Sequence, residues 1–187
     1  HHAPVTVVLD RAGITGADGA SHNGMWDIAM AAMIPGMRLA APRDEATLRS
    51  QLRQAVAIDD GPSLVRYRKG AMPAPIEAIE TLEGMDWLYR SSKQEAGKRV
   101  LLVAAGSMVE PALAAAAQLE ALGYAPDWID PCWLLPINPA LVELTRGYDL
   151  VVSAEDVLVD GGFGSALRDQ MELAKLFVPT VRIGIAK

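Results

Sequence analysis

A chain of 187 residues, 51% apolar and 21% charged, is long enough to bury a core and too apolar for a disordered segment. Its net charge of −6 excludes a general phosphate-tracking surface, which needs clustered lysine and arginine, but leaves a local anion site open. The single cysteine, Cys132, excludes an internal disulfide, and no apolar run reaches the roughly 18 residues of a membrane helix. The expectation is a cytoplasmic protein with no membrane and no nucleic-acid partner.

The chain opens with "HHAPVTVVLD", without methionine and close to a strand, and stops in another strand pattern, "VPTVRIGIAK". Two readings stand: a piece cut from a larger protein, or a complete chain in which His1 and His2 are the remnant of an expression tag. Residues 4–9 are a β-branched run that predicts a strand buried on both faces. The segment "DRAGITGADGASHNG" (10–24) follows, with four glycines and no large apolar residue except Ile14. Residues 25–34 predict a short apolar helix stopped by Pro35 and Gly36, and "MRLAAP" a strand. Asp44 then caps a helix over 45–58 whose face is Leu48, Leu52, Ala55 and Val56. "SLVRY" (63–67) is the next strand, and the alternation implies a parallel sheet.

Residues 71–98, rich in proline, glycine and charge, read as a linker with room for a short hairpin. A second α/β unit occupies 99–187. It has a buried strand at 99–106 and a helix opened by Ser107 and Glu110 in capping-box spacing and closed at Gly123. An extended segment over 124–137 and a helix capped by Asn138 with Pro139 follow. A strand at 149–156, a glycine-led helix and a last strand complete it. The fold class is therefore α/β, two units with mainly parallel sheets, divided as 1–70, a linker 71–98, and 99–187.

The candidate chemistry sits at strand ends, where open α/β sheets place their ligands. His22, in the opening loop, is suited to proton transfer near neutral pH, with Asp18 and Arg11 on the same loop to set charge and orientation. The competing reading makes Asp18-Gly19 a turn and His22 a surface or capping residue, and loop composition does not separate the two. Arg66, Arg68 and Lys69 follow "SLV" at a second strand end. Alternate residues point to opposite sides there, so part of the cluster faces a cleft suited to phosphate and part is solvated. "GGFGS" (161–165) has neither the dinucleotide nor the Walker spacing and reads as a packing turn, with Glu155 an acid at the preceding strand end.

The pattern L-D-R-A-G-x-x-G-x-D-G-x-S-H-x-G-x-x-D over 9–27, followed by P-G-M, A-P-x-D-E, D-D-G-P and R-Y-x-K-G, resembles the 1-deoxy-D-xylulose 5-phosphate synthases, thiamine diphosphate enzymes of the transketolase group. "SAEDVLVDGGFGSAL" extends the resemblance through the second unit. It implies that residues 1–70 are the second half of a pyrimidine-binding domain and 99–187 a transketolase-like C-terminal domain. It also implies condensation of pyruvate with D-glyceraldehyde 3-phosphate with loss of carbon dioxide, feeding isoprenoid and thiamine synthesis, in a homodimer using thiamine diphosphate and magnesium. By the same resemblance Arg11 and Lys69 bind the acceptor's phosphate, while Asp18 and His22 contact substrate and intermediate, with His22 handling protons.

Two departures accompany it. Many members read R-Y-P-R-G where this chain has Arg66-Tyr67-Arg68-Lys69-Gly70, so a guanidinium fork at 69 becomes a single-point ammonium. The diphosphate-binding domain with its metal-holding motif, and the glutamate that activates the aminopyrimidine, are absent, so the main cofactor groups are expected outside this chain and the chain alone is expected to be inactive. The alternatives are a β-subunit of a 2-oxo acid dehydrogenase and a non-catalytic α/β binding module.

Overall fold

The computed structural model describes residues 3–93 and 97–186. His1 and His2, on which the tag reading rests, and residues 94–96 of the expected linker lie outside the described residues. In chain order the strands are β1 (Thr6–Leu9), β2 (Arg38–Ala40), β3 (Ser63–Arg66), β4 (Glu80–Leu82), β5 (Met85–Arg90), β6 (Arg99–Ala104), β7 (Ala125–Asp130), β8 (Trp133–Leu135), β9 (Leu150–Leu158) and β10 (Thr180–Ile185). The helices are α1 (Asp27–Ala32), α2 (Glu45–Val56), α3 (Val109–Ala121), α4 (Pro139–Leu144) and α5 (Phe163–Leu173).

The strands form two sheets, ordered β1-β3-β2-β8 and β10-β9-β6-β7-β5-β4. The β1, β3 and β2 pairs are parallel, as are β10, β9, β6 and β7, whereas β8, β5 and β4 join antiparallel. This is the mainly parallel α/β architecture expected. Register fixes what meets at the strand ends. Leu9 pairs with Arg66, so the loop after β1 emerges beside residues 67–70. Ala104 pairs with Ala154, so the turn after β6 emerges beside the last residues of β9.

One apolar cluster runs through both sheets, joining Ile28, Leu39 and Leu64 of the first unit to Trp87, Leu101, Ile129, Leu141 and Leu167 of the second. Full burial of each such side chain contributes about 1.5–3 kcal/mol, so the units share a core and do not merely touch. Two smaller clusters fill the outer faces, one under α3 around Trp128 and Val109, the other under α2 around Ala55 and Val65. A buried ion cluster also crosses the boundary: Arg43 Nη1 donates to Asp86 Oδ2 at 2.7 Å and Asp130 Oδ2 at 2.9 Å. Burial pushes the Asp130 carboxyl up to about 6 despite Arg43.

Several expectations need correction. Strand β1 is not buried on both faces. It is the edge of its sheet, and Val7 and Val8 are exposed. On α2, Leu52 and Val56 face out, and Gln51 and Ala55 are the buried pair. The amide of Gln51 has a reason to be inside, because Nε2 donates to the Cys132 carbonyl at 3.1 Å. The Ser107–Glu110 capping box is not formed; a 3₁₀ turn precedes α3, and the Ser107 hydroxyl donates to Asp156 Oδ2 at 2.7 Å. The short hairpin for which the span 71–98 has room is present as β4 and β5, and it sits on the edge of the larger sheet. Its two-residue turn places Glu83 and Gly84 at φ 52° and 78°, the paired left-handed geometry that suits a tight hairpin. The local caps hold: Asp44 with Thr47, Asn138 with Pro139, and Gly123 at φ 92° after α3.

Candidate active site

The loop over residues 10–24 is built as a closed pinch. Gly13 and Gly24 exchange backbone hydrogen bonds at 3.1 and 2.9 Å, and the Ala12 amide donates to the Tyr67 carbonyl at 2.9 Å. Asn23 Oδ1 accepts from both the amide and the hydroxyl of Thr15, bracing the inside. Two 3₁₀ turns, Gly16–Asp18 and Ala20–His22, carry the candidate side chains on the rim. Arg11 itself takes φ 62°, a left-handed conformation unfavourable for a residue with a Cβ.

The pinch closes against the second unit. A Cβ on Gly13 would sit 2.3 Å from Asp156 Oδ2, so only glycine permits this approach. Asp156 is held there by Ser107 and by Arg66, whose Nη1 lies 2.8 Å from Asp156 Oδ1. Arg66 Nε donates to Asp27 Oδ2 at 2.6 Å, tying the first turn of α1 to the same group. Burial pulls the Arg66 guanidinium's pKa down, but the charges of Asp156 and Asp27 more than offset it and raise it above the usual arginine value. The Leu158 amide donates to the Met25 carbonyl at 3.1 Å, a further strap between β9 and the loop's end.

Arg11, Asp18 and Lys69 converge. Lys69 Nζ donates to Asp18 Oδ1, and Arg11 Nη1 lies 3.8 Å from Asp18 Oδ2. The Lys69 hydrogen bond, then the charges of Lys69, Arg11 and His22, hold the Asp18 carboxyl below its usual range against desolvation. His22 is exposed, with Nδ1 3.1 Å from Ser21 Oγ, and its Nε2 makes no hydrogen bond among the described residues. Beside this group opens a cleft of about 600 Å³ between the units. Thr15, Gly16, Arg68 and Lys69 line one wall, and Ser107, Glu110 and Asp156 the other.

The other flagged residues fall elsewhere. Arg66 is buried, not in the cleft. Glu155 is buried behind the 161–165 turn, where it accepts from the Phe163 amide at 2.6 Å and the Gly164 amide at 3.2 Å. Burial pushes its carboxyl up to about 7, with those amides and Arg66 pulling the other way. The glycine turn is therefore filled by the protein's own carboxylate. Sequence reasoning missed Asp27 and Asp156 as the loop's anchors. The usable signal was an acid one residue beyond Glu155, at the end of a parallel strand.

The residues present do not fit the diphosphate end of a thiamine cofactor. No three His, Cys, Asp or Glu converge among the described residues, and the one glycine-rich strand-to-helix turn in the second unit has its amides taken by Glu155. Comparison with known proteins gives two matching family models. "Transketolase, pyrimidine binding domain" covers residues 1–75, and "Transketolase, C-terminal domain" covers 90–187. The chain is 48% identical over its whole length to a 1-deoxy-D-xylulose-5-phosphate synthase of Frankia casuarinae, and 49% identical over 99% of its length to the synthase of Mycobacteroides abscessus. With the synthase of Corynebacterium glutamicum it shares 45% identity over 97% of its length. It spans only 28–29% of those relatives. Among solved structures, a split-gene transketolase described as an inactive beta4 tetramer superposes with a TM-score of 0.79 at 32% identity, over 98% of this chain and 58% of that one.

Proposed function

We propose, for a chain that belongs to the transketolase family through both of its matched domains, that it is the acceptor-binding part of a 1-deoxy-D-xylulose 5-phosphate synthase. In this reading pyruvate, less its carboxyl carbon as carbon dioxide, is joined to the aldehyde carbon of D-glyceraldehyde 3-phosphate. Thiamine diphosphate and magnesium are held by parts of the enzyme outside this chain, which alone does not turn over. The enzyme is a cytoplasmic homodimer that supplies isoprenoid precursors, and the chain divides into units 1–70 and 99–187 about the segment 71–98.

The observation that carries the reading is the meeting of Arg11, Asp18 and Lys69, from two separate strand ends, with the charge of His22 felt at Asp18 and with Lys69 on the wall of an inter-unit cleft. An aldehyde phosphate needs cations at one end and a proton donor at the other. Arg11 and Lys69 receive the phosphate, exchanging part of their contact with Asp18 for it. His22 has a free Nε2 from which the acceptor's carbonyl oxygen takes a proton as it becomes a hydroxyl. Asp18 orients the two cations before the phosphate arrives. The relatives described are synthases, and the 2-oxo acid dehydrogenase β-subunit is not favoured beside them.

His22→Ala in the complete enzyme is expected to lower kcat/KM by about a hundredfold or more. Because His22 is exposed, the urea midpoint should not move. Unchanged turnover would return the loop to the non-catalytic module reading. Turnover by the chain alone, given thiamine diphosphate and magnesium, would overturn the placement of the cofactor groups elsewhere.

A further inference from the structure

The three cations at the end of β3 are unequally engaged. Arg66 is buried between Asp27 and Asp156, and Lys69 is hydrogen-bonded to Asp18. Arg68 makes no hydrogen bond among the described residues; its Nη1 lies 3.6 Å from Glu110 Oε2. That separation is beyond the roughly 2.7–2.9 Å of a charge-assisted hydrogen bond. Both side chains are open to water, at 39% and 61% exposure, so the pair is weakly held. Glu110 stands on the first turn of α3, in the opposite unit, so the contact spans the cleft that Arg68 and Lys69 line together.

We propose that Arg68 is a specificity-determining residue for the acceptor's phosphate, and that Glu110 is the carboxylate it leaves when the phosphate arrives. The inference rests on the acceptor reading given above. A guanidinium offers two parallel N–H donors to a phosphate, whereas the Lys69 ammonium offers one point of contact and is shared with Asp18. The fork that position 69 lacks is thus supplied by position 68. Glu110 keeps Arg68 from binding stray anions and sets the threshold that a phosphate must exceed. No new covalent step is involved; the exchange is of one anion for another at the same cation.

Calorimetric titration of the complete enzyme with D-glyceraldehyde 3-phosphate, and with unphosphorylated D-glyceraldehyde, tests this. Arg68→Gln should weaken binding of the phosphorylated aldehyde by about tenfold, the scale of one lost charged hydrogen bond, and leave the unphosphorylated one unchanged. Glu110→Gln should tighten the phosphorylated aldehyde several-fold by removing the competitor. Arg68→Lys should recover only part of the loss, because the charge returns without the fork. Melting temperatures should match wild type, since both side chains lie at the surface. If wild type prefers the phosphorylated aldehyde and neither Arg68→Gln nor Glu110→Gln changes that preference, the role of Arg68 is overturned and the acceptor reading stands. If wild type shows no preference for the phosphorylated aldehyde, both fall.

Discussion

Loop 10–24 and the turn over 159–164 have the same outward description: each leads from the C-terminal end of a parallel strand into a helix, and each is rich in glycine. Their glycines do different work. In the turn, a Cβ on Gly162 would lie 2.3 Å from Glu155 Oε2 and 2.7 Å from the Leu158 carbonyl, and one on Gly164 would lie 2.0 Å from Ser153 Oγ. Those glycines admit an internal acid onto the helix amides. In the loop, Gly16 and Gly19 have nothing within 4 Å of a Cβ and serve only backbone direction, at φ 66° and 81°. Gly24 makes ordinary contacts at 3.8–4.0 Å with its own loop, whereas Gly13 is closely packed against Asp156 of the other unit. A glycine-rich strand-to-helix connection is thus an anion site only where its donors are unspent, and in the turn over 159–164 they are spent on Glu155.

The largest test removes what ties the two regions together. Arg66→Ala removes the buried guanidinium shared by the mostly buried Asp27 and the half-buried Asp156, which keeps only Ser107 among the described residues, and should cost about 3–5 kcal/mol in urea unfolding. A loss under about 1 kcal/mol, the scale of a surface pair, would mean that the loop does not depend on the second unit. Next, Gly162→Ala should cost about 1–3 kcal/mol by overpacking against backbone, and Gly16→Ala about 1–2 kcal/mol through its left-handed φ alone. The two are separable by place: amide exchange should rise at Phe163 and Gly164 in the first variant and stay within the loop in the second. Exchange rising at both sites in both variants would erase the distinction.

The smallest effect is a dependence on pH. Glu155 has its folded value raised to about 7 from an ordinary value of 4.5, so the folded state binds the extra proton between those limits. Its contribution is full below the unfolded value and is lost as pH rises through about 7. Asp130 acts in the same sense but is finished above about 6, which leaves the upper part of the window to Glu155. Urea stability should fall gently as pH rises from about 6 to above 7, and Glu155→Gln should flatten that slope. A slope that survives the substitution would assign it to another group.

The strands, helices and caps were largely legible in the sequence because their signals are local: apolar runs, Asp44 and Asn138 before helices, Gly123 after one. Arg11 and Asp18, and separately Lys69, were legible as strand-end candidates, and only the family resemblance joined Arg11 with Lys69; the β1–β3 register sets the two segments side by side. The anchors were not. Arg66 looked like one cation among three, and its burial depends on Asp27 and Asp156, 39 residues before it and 90 after. The face of α2 was misread for a related reason: Gln51 is buried by a carbonyl 81 residues away, which no periodicity reports. The exposure of β1 follows from its place at the end of the strand order, which local pattern does not encode.

Strand β8 carries one more consequence. It is only three residues long and comes from the second unit, but it pairs with β2 as the fourth strand of the first unit's sheet. The second unit therefore lends the first a piece of its backbone, and the cleft that holds Arg68, Lys69 and Glu110 lies across a joint that is stitched rather than hinged. Severing the chain between 98 and 99 would not yield two domains; it would leave the first with an open seam at β2 and the second with a loose end after Asp130.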